Sequence, residues 1–469
     1  MTPNRPDLKR LFNPKSIAVI GASNREGSIG RIIFERLIPS LRKLYPVHPR
    51  ESHIMGYTAF AEIAMLPEGI DVALLATGAE AAVAAAEACA VKKIPFLIIV
   101  AGGFGETGAA GARLEACLQE IASRFETRIL GPNSLGVFIP GERLDTIFVE
   151  HGDKALGSGG GVAFITQSGS VGVEALGLAS NTGYGMRAFV GLGNKCDLDE
   201  LDFLDYFGRD PETTCLAFYL ENIAHGRRFL EKARQVTPHK PVLVLKAGRT
   251  AAGARAVSSH TGRLAGMDAV VSGAFRQFGI QRVLDDEELC DASKCLAMLP
   301  PARGPRVAVL TPAGGFGVMA ADYIEADQRS MPLSMAALAP RTVRRIRDAT
   351  FPFAACVNPV DLTASADDGM FGCSLDALIE DDGVDLIICT ACFAPPANSD
   401  GLIAEIAARV PRSPKPLITF TQYGPFTDLY LRRFHDAGVV GFPSVSRAVR
   451  AARFLVERAR ILAALKEQP

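Results

Sequence analysis

The chain has 469 residues, 48% hydrophobic and 22% charged, with 50 basic and 51 acidic side chains for a formal net charge of −1. That length allows about three domains of roughly 150 residues. The balanced charge excludes a general basic field for nucleic acid or an anionic membrane, so an anionic ligand must be met by local devices such as helix N-termini.

The opening residues 1–12 lack the apolar core of a secretory signal. No apolar run reaches the roughly 18–20 residues of a membrane helix, so a cytoplasmic location is expected. The first apolar run, residues 17–20, ends in Gly21-Ala22-Ser23-Asn24-Arg25-Glu26-Gly27-Ser28-Ile29-Gly30. Such a short run suits a strand buried on both faces of a parallel sheet. Small residues in the turn let a ligand's phosphates approach backbone N–H groups at a helix N-terminus. The turn is neither G-x-G-x-x-G nor a P-loop. The plainer reading is a first strand-to-helix turn with no ligand. Residues 72–76 and 96–100 predict further buried strands, with helices over 80–91 and 109–123. Strand and helix thus alternate as βαβ units.

The glycine-rich stretch 157–161 marks a boundary. Beyond it, residues 162–165 run into Thr166-Gln167-Ser168-Gly169-Ser170-Val171-Gly172, a second anion cradle. Its plainer reading is helix capping by Ser168 or Ser170. Residues 215–220 predict a strand with Glu221 directly after it. A carboxylate at a strand's C-terminal end in an open α/β sheet points into the ligand crevice. There it can accept a hydrogen bond from one ring nitrogen of His260 and leave the other to attack. The alternative is a solvated carboxylate. A strand over 242–245 leads into Lys246-Ala247-Gly248-Arg249-Thr250, an alanine-rich stretch, and Ser258-Ser259-His260-Thr261-Gly262. These small polar neighbours place His260 in an accessible loop. Neutral imidazole is a good nucleophile near neutral pH and can accept a phosphoryl group. A lone loop histidine is more often an ordinary surface residue.

The Pro-rich stretch 299–305 marks a second boundary. Residues 307–310 then run into Thr311-Pro312-Ala313-Gly314-Gly315, with further strands at 385–389 and 416–420. Cys389 and Cys392 form a C-x-x-C inside an apolar run with no second pair near, which reads as core packing, and no metal site is expected. The ten cysteines read as reduced, packed thiols. The three strand-and-turn starts recur about every 145 residues, close to one domain length. The expected fold is α/β: three tandem doubly wound domains at 1–150, 151–300 and 301–469.

In this order, several motifs resemble the α subunit of NDP-forming acyl-CoA synthetases, the ADP-forming acetyl-CoA synthetase branch of the succinyl-CoA synthetase superfamily. They are Phe12-Asn13-Pro14-Lys15-Ser16 with the strand and turn that follow, Gly131-Pro132-Asn133-Ser134-Leu135-Gly136, Thr166-Gln167-Ser168-Gly169, Gly193-Asn194-Lys195, Tyr219-Leu220-Glu221, the two segments flanking residue 255, and Val357-Asn358-Pro359-Val360-Asp361-Leu362. The resemblance covers nearly the whole chain. It implies a CoA-binding Rossmann-like domain followed by two flavodoxin-like ligase domains. It assigns Gly21, Ser23, Gly27 and Gly30 to the CoA phosphates, Arg50 to the adenosine end, and Asn133 and Ser134 to the thiol end. Ser168, Gly169 and Ser170 would cradle phosphate, His260 would be phosphorylated, and Glu221 would orient it. The implied reaction converts acyl-CoA and phosphate to acyl phosphate and CoA. His260 then takes the phosphoryl group and passes it to ADP or GDP in an ATP-grasp domain. No ATP-grasp segment is found, so a separate ATP-grasp β subunit, carrying ADP/ATP and Mg²⁺ in a hetero-oligomer, is expected.

The chain departs from the family at Ala76-Thr77-Gly78, where a proline is usual. The competing reading is a CoA-binding regulatory or sensor protein without turnover. The retained His260, Glu221 and Ser168 turn, with no acetyltransferase-like segment, weigh against it. A nicotinamide-dependent dehydrogenase is disfavoured by the missing G-x-G-x-x-G and ribose-binding acid. The acid itself stays open: acetate, branched, aryl and dicarboxylic acids all fit the sequence.

Overall fold

A computed structural model describes residues 6–151, 159–261, 267–326, 331–394, 397 and 399–467, the side chains of 180 and 258–261 excepted. The first sheet is built from β1 (Ser16–Ile20) and β2 (Lys43–Val47), then, past a small antiparallel hairpin of β3 (His53–Ile54) and β4 (Tyr57–Thr58), from β5 (Val72–Leu75), β6 (Phe96–Ile99) and β7 (Arg128–Leu130). Its order is β2-β1-β5-β6-β7, all parallel. β1, β5 and β6 are buried at every position, as expected of strands covered by helices on both faces.

The second sheet holds β8 (Gly136–Ile139), β9 (Leu144–Asp145), β10 (Val162–Thr166), β11 (Met186–Gly191), β12 (Cys215–Leu220), β13 (Val242–Lys246) and β14 (Gln281–Val283). They run in the order β14-β13-β12-β10-β11-β8-β9, with β8 antiparallel to β11. Residues 136–145, which the sequence grouped with the first domain, therefore pair into the second sheet. The third sheet holds β15 (Arg306–Thr311), β16 (Ser334–Met335), β17 (Val360–Asp361), β18 (Leu386–Thr390), β19 (Leu417–Phe420) and β20 (Val440–Phe442). Its order is β16-β15-β18-β19-β20, with β17 on β15 beside β16.

All three sheets repeat one wiring. In the first two sheets the first parallel strand (β1, β10) lies between its second and third, the 2-1-3-4-5 order of doubly wound folds, and in the third β15 likewise separates β16 and β17 from β18. In that order the chain leaves the first strand at the switch point, where ligands bind outside the carboxyl ends.

The chain divides into two compact units, 1–177 with 186–282 and 178–185 with 283–469. The first contains the first two sheets, which share one apolar core running from Leu11 to Ile280. In the second, helix Asp286–Met298 packs on the long helix Val445–Glu467, pinned by Asp291 against Arg447 at 2.7 Å. The sequence had grouped that shorter helix with the preceding domain.

Cys389 is fully buried, and burial lifts its thiol pKa well above the ordinary value. Cys117 and Cys373 are exposed, a departure from the expected packed thiols, because each falls on the outer face of its helix. No helix among the described residues is long and apolar enough to cross a membrane.

Candidate functional site

The turn after β1 is shaped by two glycines. Gly21 has φ +88°, and a Cβ on it would meet Ala76 O at 2.7 Å and Thr77 Cγ2 at 2.9 Å. A Cβ on Gly30 would lie 1.9 Å from Gly21 O, so helix Ile29–Leu37 starts directly against the turn. Only glycine permits this approach of helix, turn and the end of β5. Gly27 (φ +71°) stands in open space. Ser28 caps the helix by accepting from Arg31 N at 3.4 Å, while Ser23 Oγ accepts from Arg25 N at 3.0 Å inside the loop. Asn24 braces the loop from outside, donating to His53 O at 2.9 Å and accepting from Met55 N at 3.0 Å. Arg25 and Arg50 are exposed.

The hydroxyl of Thr77 is buried with no partner among the described residues. It lies in the Ala76-Thr77-Gly78 stretch that follows β5. A polar atom left bare beside a glycine cradle fits a ligand that brings its own acceptor or donor.

Residues 131–136 join the first two sheets. Asn133 is exposed with φ +58°, held by its N–H donating to Ala101 O at 2.8 Å. Ser134 is only 1% exposed. Its hydroxyl donates to Gly191 O at 2.5 Å and accepts from Gly136 N at 2.9 Å. Ser134 therefore pins the loop, and Asn133 is the member of the pair that faces outward.

Asn194 lies across from it. Its amide donates to Glu106 Oε2 at 2.6 Å and Glu115 Oε2 at 2.9 Å, while Asn133 Nδ2 donates to its oxygen at 3.5 Å. Burial pushes the Glu106 pKa up, but hydrogen bonds from Asn194 and from the amides of Gly103 and Phe104 outweigh it and hold the carboxyl below its ordinary value. Sequence reasoning missed Glu106 and Glu115, since nothing local distinguishes them from solvated helix-start acids.

The second turn follows β10. Thr166 Oγ1 donates to Ser168 O at 2.7 Å and accepts from Ser168 N at 3.0 Å, which folds the chain back before helix Gly169–Asn181 begins. Ser168 Oγ and Ser170 Oγ lie 3.1 Å apart, and Gly169 and Ser170 are exposed at the helix start. Two hydroxyls and the first free N–H groups of the helix thus share one opening.

Glu221 follows β12 and is 5% exposed, so it is not a solvated carboxylate. Its N–H donates to Gln167 Oε1 at 3.0 Å. That bond ties the strand end carrying Glu221 to the turn carrying Ser168.

The structure also corrects the local setting of His260. Its backbone lies in helix Ala251–Thr261, not in a loop. Thr250 Oγ1 accepts from Gly253 N at 3.0 Å in the helix's first turn, and the alanines that follow carry the helix onward. The side chain of His260 and residues 262–266 lie outside the described residues. The helix packs against residues 105–107, the short turn that carries Glu106.

Two family models match. The CoA binding domain covers residues 15–140 and the succinyl-CoA ligase-like flavodoxin domain residues 159–296. The α subunit of acetate–CoA ligase (ADP-forming) II from Pyrococcus furiosus is 34% identical, covering 97% of this chain and 98% of that protein. The acetate–CoA ligase (ADP-forming) I of Archaeoglobus fulgidus is also 34% identical, but this chain spans only 64% of its length. Among solved structures, the dinucleotide-forming acetyl-coenzyme A synthetase 1 of Ca. Korarchaeum cryptofilum, in complex with phosphate and ADP, superposes with a TM-score of 0.87 at 31% identity, covering 98% of both chains.

Proposed function

Because the chain belongs to the family of ADP-forming acetate–CoA ligase α subunits, we propose that it is the α subunit of an NDP-forming acyl-CoA synthetase, working through phosphorylated His260. The observation that carries this reading is the bond between Gln167 and the backbone of Glu221. It joins the phosphate turn to the carboxylate in a buried setting. The reaction is acyl-CoA, phosphate and ADP to acid, CoA and ATP, reversibly.

CoA would lie along the Gly21, Ser23, Gly27 and Gly30 turn, with Arg50 toward the adenosine end and Asn133 at the thiol end. Inorganic phosphate, held at Ser168, Gly169 and Ser170, attacks the thioester carbonyl. The C–S bond breaks, CoA leaves as thiol, and acyl phosphate forms. A ring nitrogen of His260 then attacks phosphorus, and the carboxylate leaves. Glu221 holds the proton on the other ring nitrogen and stabilises the cationic ring. The helix N-terminus supplies fixed positive potential to the transferred group, where such reactions draw most of their acceleration. ADP/ATP and Mg²⁺ would bind on a separate ATP-grasp β subunit, in a cytoplasmic hetero-oligomer.

The test is incubation of the chain with acetyl-CoA and radiolabelled phosphate. An acid-labile, base-stable label is expected on the wild type and absent from His260→Asn. A labelled His260→Asn chain would sink the carrier role. An unlabelled wild type that still binds CoA would favour a sensor.

A further inference from the structure

The dipeptide after β12 is held by three side chains from three other places in the chain. Gln167 Oε1 accepts from Glu221 N at 3.0 Å and from Asn222 N at 3.3 Å. Lys246 Nζ, at the end of β13, donates to Glu221 O at 2.7 Å and Ala247 O at 2.7 Å. Lys195 Nζ donates to Asn222 O at 2.9 Å and to Glu200 Oε2 at 2.9 Å. Every backbone N–H and C=O of Glu221 and Asn222 is thus taken by a side chain, where an open sheet would leave them to water at a strand end.

The holders are costly to place there. Gln167 and Lys246 are 9% and 7% exposed, and the Lys195 and Glu200 side chains 0% and 1%. Burial of an ammonium group disfavours its charged form, and Lys246 is held below its ordinary pKa by burial, then by Arg282 and Lys195. Two buried cations spent on one dipeptide are more than strand-end satisfaction requires. An exposed carbonyl there would find water.

We propose that Gln167, Lys195 and Lys246 are positioning residues that fix the main chain of Glu221, so that its carboxylate meets the histidine in one orientation during phosphoryl transfer. The proposal rests on the functional reading given above. A misplacement near 1 Å at such a group costs about a hundredfold in rate.

The experiment measures the labelling rate of the full chain with acetyl-CoA and radiolabelled phosphate, beside CoA affinity by calorimetry. Gln167→Met removes the shared acceptor at similar volume. It should slow labelling by about tenfold to a hundredfold with CoA affinity unchanged. Combined with Glu221→Gln, it should add nothing further, because both act through one group. Lys246→Met should also slow labelling, and Lys246→Arg should restore most of the rate. Multiplicative loss in the double variant, or wild-type labelling in folded Gln167→Met, overturns the proposal and leaves the functional reading intact. An unlabelled wild type, or a Glu221→Gln chain labelled at full rate, overturns the functional reading and the proposal with it. If Gln167→Met does not fold, the Lys246→Met and Lys246→Arg pair decides by the same criteria.

Discussion

Replacing Gly30 by alanine tests the geometry of the first turn directly. A Cβ there would sit 1.9 Å from Gly21 O and 2.8 Å from Gly21 C. An ordinary carbon-to-oxygen contact is about 3.3 Å. The helix start must therefore back away from the turn by about 1.4 Å, or the turn must unwind. Neither move is soft, since the turn is also closed from the β5 side by Ala76 O, which a Gly21 Cβ would approach to 2.7 Å. Overpacking of this kind costs about 1–3 kcal/mol. If that cost falls on the geometry that accepts CoA phosphates, the CoA dissociation constant rises about fivefold to 150-fold.

Isothermal titration with CoA measures this, with thermal unfolding run beside it. Gly226→Ala is the control, because a Cβ there meets nothing within 4 Å and the residue opens helix Gly226–Val236. It should leave CoA affinity alone and raise stability by about 0.4–1 kcal/mol. A folded Gly30→Ala chain that binds CoA as the wild type does would refute the assignment of this turn to the ligand.

Ser134→Ala removes both hydroxyl bonds that pin the loop between the first two sheets. It should lower unfolding stability by about 1–3 kcal/mol, measured in urea, because two hydrogen bonds to buried backbone groups are lost. His435 gives a pH signature. Its burial, then the charges of Lys294 and Arg432, depress its pKa from 6.5 to about 4. A base depressed in the folded state binds its proton only in the unfolded chain between those values. It therefore contributes stability above pH 6.5 that is lost progressively as pH falls toward about 4. His435→Gln should show a smaller drop in melting temperature than the wild type between about pH 7 and about pH 4.5. An equal drop would show that other groups govern the acid limb.

The buried strands were legible because strands covered on both faces carry nothing but apolar side chains, so 162–165 and 215–220 announce themselves without knowledge of partners. Partnership was not legible. Residues 136–145 have strand composition but no local mark that they join β11, because register is decided by what else reaches the sheet edge. The helix around His260 was misread for a different reason. Ser258, Ser259 and Thr261 favour turns by bonding their own backbone, yet the alanines before them carry the helix through. Gln167 appeared in a motif, but its function depends on residues 54 and 55 positions away, a distance no window spans. The place of Glu221 at a buried strand end was legible because a residue directly after a strand is marked by position alone.

The repeated strand order has a consequence for how such chains are assembled in genomes. When the ligand turn leaves the first strand of its own sheet, each sheet carries its turn wherever it goes. A further segment can then be joined beyond the sheets without rewiring a turn. That portability agrees with the two lengths of the relatives: this chain matches 98% of a Pyrococcus furiosus α subunit but 64% of a longer Archaeoglobus fulgidus polypeptide. A fold wired this way keeps each first turn with its own sheet in relatives of either length.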